Sequence, residues 1–179
     1  MSILFIILIV IATIVALLML IATFTKKEYV IEREVAINRP KQDVFDFVRI
    51  LKNQDHYNKW WMMDPNVIKS FKGTDGTVGF VAAWDSANKK VGKGEQEVKK
   101  ITAGERIDFE IRFIKPFEGV ADTYMTTETA HENKTKVKWV FSGKYNYPMN
   151  IMLVIMNMDK LLGKDMEESL SNLKAILEK

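Results

Sequence analysis

Chemistry needs groups that can exchange protons, attack or ligate, and this chain of 179 residues offers few of them. It has two histidines and no cysteine, which excludes disulfides, thiolate nucleophiles and cysteine metal sites. His131 falls in His131-Glu132-Asn133-Lys134, a polar stretch with the character of a hairpin loop, and is read as solvated. His56, within Asn53-Gln54-Asp55-His56-Tyr57, is the one candidate for acid–base duty. No paired-histidine spacing and no Asp-rich calcium loop occurs, so no metal is expected. Gly73, Gly76 and Gly79 hint at a phosphate loop, yet no Lys-Ser/Thr pair follows. They read as turn glycines, and no cofactor is expected. Ser70, Ser86, Ser142, Ser169 and Ser171 lack a nucleophile elbow and a placed histidine. Gln96 shares a side with Gly94 and Val98, and there it orients a polar ligand head or serves as a hydrogen-bonded core glutamine.

Apolar groups are far more plentiful. Trp60, Trp61, Trp84, Phe109, Phe113, Trp139 and Phe141 present more aromatic surface than the packing of one helix requires. Each alone reads as core; together, with Ile111, they suit a pocket with apolar walls and few polar groups. Trp60 and Trp61 alternatively suit a membrane interface, where indole rings are comfortable. Between Met149 and Met158 almost no polar face remains, so Met152, Ile155 and Met158, followed by Leu162, are candidate ligand contacts.

The elements that must position these residues follow from periodicity. From Pro148 to Lys179 the apolar residues Ile155, Met158, Leu162, Met166, Leu170, Leu173 and Leu177 recur at steps of three and four. That spacing predicts one long amphipathic helix, with Gly163 as a bend. Upstream, Glu28 to Asn38 alternates as a strand with Tyr29, Ile31, Val35 and Ile37 inward. Pro40 opens a helix from about Lys41 to Arg49, with Val44, Phe45 and Val48 buried. A short helical stretch follows from Leu51 to about Trp60. Six further strands are expected at 67–71, 77–84, 90–101, 106–113, 120–129 and 135–145, separated by turn residues. Short connections imply antiparallel hairpins. The design is α+β: a sheet whose apolar face is covered by the C-terminal helix.

The N-terminus is separate in character. Ile3 to Phe24 carries no charge, and 22 helical residues would span about 33 Å against a hydrocarbon core of about 30 Å. Ala22-Thr23-Phe24 makes a poor cleavage sequence, so the span reads as an uncleaved anchor. Lys26 and Lys27 follow it, and the positive-inside rule places the larger part in the cytoplasm, as a single-pass membrane protein. Residues 1–27 are read as anchor and basic flank, and 28–179 as the folded domain. The charges of the whole chain, 26 basic and 23 acidic, alternate without long runs, which gives nucleic-acid binding little support.

This element order resembles the helix-grip fold of the START-like, or SRPBCC, superfamily, nearest to its polyketide cyclase/dehydrase and lipid-transport branch. The matching residues are Ile31 to Ile37 with Pro40, Val44 and Phe45, the aromatic segment Tyr57 to Trp61, and Gly92-Lys93-Gly94. Further on come Lys115-Pro116-Phe117-Glu118, Thr135 to Trp139, and Met158-Asp159-Lys160 leading to Leu170 and Leu173. The resemblance covers about Tyr29 to Lys179 and carries no invariant catalytic signature. It implies a cavity between sheet and helix that accepts an apolar or amphipathic small molecule, a lipid among them. Expected is a membrane-anchored binder of a hydrophobic ligand. A cyclase- or dehydratase-type enzyme and a protein-interaction module are the alternatives.

Overall fold

The computed structural model describes residues 2–179. Ile3–Phe24 forms helix α1, and Ser2 accepts a hydrogen bond from the backbone of Phe5 at its start. Its side chains are exposed along nearly its whole length, and it is long and apolar enough to cross a membrane. The next elements are β1 (Glu28–Ile37) and α2 (Lys41–Val48), with Pro40 at the N-cap. A 3-10 turn (Leu51–Asn53) and two single turns, α3 (Gln54–Tyr57) and α4 (Lys59–Met62), come next. The sheet continues with β2 (Ile68–Lys72), β3 (Val81–Asp85), β4 (Lys93–Thr102), β5 (Arg106–Lys115), β6 (Gly119–His131) and β7 (Lys134–Lys144). The chain closes with a 3-10 turn (Met149–Ile151), α5 (Met152–Ile155) and α6 (Met158–Leu177).

All seven strands form one antiparallel sheet in the order β1-β7-β6-β5-β4-β3-β2. Consecutive strands pair as hairpins, and only β1 travels across to join the last strand. The alternation in the strands sets the inner face: Ile31 and Ile37, then Val98, Ile107, Phe109, Val137, Trp139 and Phe141 are buried. Met166, Leu170 and Leu173 of α6 press onto that face, as do Val44, Phe45 and Val48 of α2.

The C-terminal element differs from the single helix predicted for 148–179. It breaks at Met156 and Asn157, whose backbones are extended, and the Asn157 side chain accepts a hydrogen bond from Lys160 N at 2.9 Å to start α6 afresh. Gly163 is therefore not the bend. It lies inside the continuous helix α6, and glycine is required there because a Cβ would sit 2.1 Å from Nη2 of Arg33. Arg33 points inward from β1, lies against this bare stretch of helix, and pairs with Asp159 at 2.9 Å and Glu167 at 2.6 Å. Asp159 is held below the usual carboxylate range by its hydrogen bond from Arg33.

Other boundaries shift for local reasons. The stretch predicted as one helix from Leu51 to Trp60 is interrupted at Asn58, whose extended backbone and side-chain oxygen cap α4 through Trp60 N at 3.1 Å. The strand expected from Thr77 begins only at Val81. Residues 73–79 form a loop whose Asp75 accepts from the backbones of Leu51 and Lys52 at 2.8 and 3.1 Å. Gly73, Gly76 and Gly79 all have positive φ, as turn glycines should. The third of the later strands starts at Lys93 rather than Lys90, after a loop from Ser86 to Gly92.

Candidate functional site

One end of the space between sheet and α6 is not filled. An apolar cavity of about 200 Å³ opens there, bordered by α4, the β3–β4 loop, the ends of β4 and β5, and Leu162 of α6. All four tryptophans of the chain line it. Trp60 meets Trp139 edge to face with ring centroids 5.9 Å apart, and Trp61 meets Trp84 in the same manner at 5.9 Å. Trp84 in turn stands against Phe113 at 6.3 Å. Such tilted pairs are favoured by the ring quadrupoles and hold the wall rigid. Trp84 is the direct cross-strand neighbour of Gly94. A Cβ on Gly94 would fall 2.6 Å from the indole, so glycine is what lets this ring lie across the sheet.

The polar groups of the wall are mostly satisfied within the protein. The Trp139 indole donates to the Thr123 hydroxyl at 2.7 Å, and Thr123 donates to the Val140 carbonyl at 2.7 Å. Trp84 Nε1 donates to the Val91 carbonyl at 3.1 Å. Asn58 is held by Gln54 and by Trp60 N, each at 3.1 Å. Gln96 stands apart. It lines the cavity and is only 5% exposed, and its amide opens onto that space rather than being sealed in the core. Lys90, exposed in the β3–β4 loop, is the single ionisable residue of the lining.

Of the residues singled out from sequence, the structure brings Trp60, Trp84, Gln96, Ile111, Phe113, Trp139, Phe141 and Leu162 to this cavity. Phe109 lies instead in closed core. Met158 packs on the core edge, Met152 is half-buried, and Ile155 is 64% exposed; none of the three borders the cavity. The break at Met156 and Asn157 carries Met152 and Ile155 away from the sheet and toward the end of α1. His56 is exposed on α3 and does not line the cavity. Trp61 does line it, rather than facing outward. Asn58, Val67, Lys90, Val91 and Thr123 were not among the sequence candidates. Thr123 was within reach of the period-2 pattern, since Ala121, Thr123, Met125 and Thr127 share the buried face of β6.

The carboxylates Glu95, Glu97 and Glu110 project to the opposite, convex face and surround Arg112. Hydrogen bonds from Arg112 hold Glu97 below the ordinary carboxylate range, and the carboxylates raise Arg112 in turn. That network stiffens the outer face of β4 and β5 and takes no part in the cavity. Among the described residues, no group of His, Asp and Glu could hold a metal ion.

A curved antiparallel sheet around a C-terminal helix, with an apolar space between them, defines a helix-grip protein. The chain belongs to the polyketide cyclase / dehydrase and lipid transport family, whose model matches residues 29–178. No curated protein matches it. Among solved structures, a Chromobacterium violaceum protein aligns with a TM-score of 0.59 at 17% identity, covering 84% of this chain and 97% of that one. Aha1 from Colwellia psychrerythraea, solved as a dimer, aligns at 0.58 with 16% identity, covering 84% and 96%. The di-domain ARO/CYC protein BexL of the BE-7585A biosynthetic pathway aligns at 0.59 with 16% identity, covering 85% of this chain and 50% of BexL. At such identities the likeness establishes the fold alone.

Proposed function

We propose that this chain is a membrane-anchored receptor for a hydrophobic or amphipathic small molecule, held between the sheet and α6. In this reading residues 1–27 form the anchor, residues 28–179 form the binding domain, and Lys26 and Lys27 keep that domain on the cytoplasmic side. The observation that carries it is the cavity: four indole rings and two phenylalanines around one amide that opens onto the space. Ligand sites are commonly built this way, with apolar walls and few polar groups to fix orientation. About 200 Å³ is smaller than the usual drug-sized pocket of roughly 300–1,000 Å³, whereas an apolar cavity of about 150 Å³ accepts benzene. The fitting guest is therefore a ring or the end of an acyl chain, with any longer portion leaving through the mouth. Gln96 hydrogen-bonds a carbonyl or hydroxyl on that guest. With Lys90 as the one ionisable lining residue, the wall holds no acid–base pair, which favours binding over cyclase chemistry.

Native mass spectrometry of the full-length protein, extracted in detergent from its own membranes, tests this reading. One small amphiphile should be retained per chain and lost in the Ile111→Phe variant, which fills the space. A wild-type protein that carries no guest and takes up none from a membrane lipid extract would contradict it.

A further inference from the structure

The strand register puts the anchor and the cavity at the same end of the sheet. Glu28, three residues after Thr25, pairs with Lys144, and β1 departs from there. Gly143 pairs with Ala121 near the start of β6, and Phe113 at the end of β5 pairs with Gly119. Lys115 then pairs with Lys93, Lys93 with Asp85, and Asp85 with Ile68. The β5–β6 turn and the β3–β4 loop, which supplies the cavity rim through Lys90 and Val91, therefore lie on the α1 side. The opposite end carries the turns at Glu105 and Glu132.

The segment after β7 is fastened to the end of α1 directly. Tyr145 N donates to the Lys27 carbonyl at 2.8 Å. The buried Asn150 amide donates to the carbonyls of Ala22 and Thr25, at 2.7 and 3.0 Å, and so caps the last turn of α1. Leu153 to Met158 border a groove whose other wall is Thr25, Lys26, Glu28 and Tyr29. If α1 crosses a bilayer, its last turn lies at the headgroup boundary, and residues 145–158 lie there with it. This end also exposes the large apolar side chains of Phe117 (80% exposed), Tyr147, Met149, Val154 and Ile155. Lys26, Lys27, Lys89, Lys90 and Lys115 belong to the same end, outnumbering its carboxylates Glu28, Asp85 and Glu118. Apolar tips at an end with an excess of lysines match an anionic lipid surface.

We propose that this end of the domain is a membrane-docking face. The β5–β6 turn at Phe117 and the 147–155 segment insert into the headgroup region of the bilayer that α1 spans, and the cavity rim faces lipid rather than bulk water. A guest then enters from the membrane without crossing solvent. The inference rests on α1 being an anchor, and adds to that reading a fixed orientation of the domain.

Because the chain has no cysteine, single labels can be placed cleanly. Full-length protein carrying Phe117→Cys, Val154→Cys, Glu105→Cys or Glu132→Cys is labelled with the polarity-sensitive dye NBD. It is then reconstituted in phosphatidylcholine vesicles containing phosphatidylglycerol. Docking predicts a blue-shifted, several-fold brighter signal at positions 117 and 154, with water-like emission at 105 and 132. Adding Lys89→Glu, Lys90→Glu and Lys115→Glu should diminish the shift at 117. Water-like emission at all four positions, in protein that floats with the vesicles, would overturn the docking face while leaving the anchor intact. Protein that fails to float would instead remove the anchor, and the docking face with it. Ligand retention is read separately by mass spectrometry, so its failure is distinguishable from either.

Discussion

The two halves of β5 carry the same alternation and end in different surroundings. Ile107 and Phe109 are buried in closed core, while Ile111 and Phe113, on the same face and one repeat further on, are half-buried and border the cavity. Their cross-strand partners differ. Ile107 and Phe109 stand beside Ile101 and Val98 on β4 and beside Met125 and Thr123 on β6. Ile111 and Phe113 stand beside Gln96 and Gly94, and beside Ala121 and Gly119. The cover differs as well, since α2 and Met166, Leu170 and Leu173 of α6 fill the first half. The void thus lies where the packed cover of α2 and of Met166, Leu170 and Leu173 gives out, and the tryptophans wall it instead of filling it. The same alternation borders packed core where it is covered and open space where it is not.

The largest test of that contrast is truncation. Phe109→Ala should cost about 3–5 kcal/mol in urea unfolding of the full chain in detergent, the usual range for a buried aromatic. Phe113→Ala, already facing a void, should cost less than half as much. Equal costs would erase the distinction between the halves. Enlargement should reverse the order. Ile111→Phe fills existing space and should cost no more than about 1–3 kcal/mol while lowering guest affinity at least about tenfold, or about 1.4 kcal/mol. Val98→Phe, in closed core, should lie at or above the top of that stability range. Smaller still, Gln96→Leu removes an amide that opens onto the cavity and should change stability little. It should weaken binding of carbonyl-bearing guests more than that of hydrocarbons.

The smallest expected effect concerns the latch between β1 and α6. Asp159 has a depressed folded-state pKa, so its pairing with Arg33 stabilises the protein above the ordinary carboxylate value. That contribution disappears as the pH falls below about 4, through the depressed value. Melting curves of wild type and Asp159→Asn should differ slightly near neutral pH and converge on acidification. A difference that widens toward acid would invert the assignment.

Much of this architecture was legible in the residues, because a half-buried strand and a half-buried helix write their periods directly. The inward phase of β1, the faces of β5 and β7 and the core stripe of α6 all followed from alternation and 3.6-residue spacing. The cavity end was legible where aromatics were concentrated. The segment from Met149 to Ile155 was not, since an unbroken apolar run has no phase from which to read a direction. Its exposure depends on Asn157 starting a new helix and on Asn150 reaching α1, two polar contacts with no periodic signature. Gly163 misled for a related reason: a glycine in a helix reads as a bend unless the arginine lying against it, 130 positions earlier in the chain, is known.

Because all four tryptophans border the cavity, selectively excited tryptophan fluorescence reports on that space. The most direct measurement is titration of the full-length protein with a short-chain brominated amphiphile, following tryptophan quenching. The cavity account predicts saturable quenching at one probe per chain, abolished in Ile111→Phe. Quenching that never saturates, and is the same in Ile111→Phe as in wild type, would contradict it.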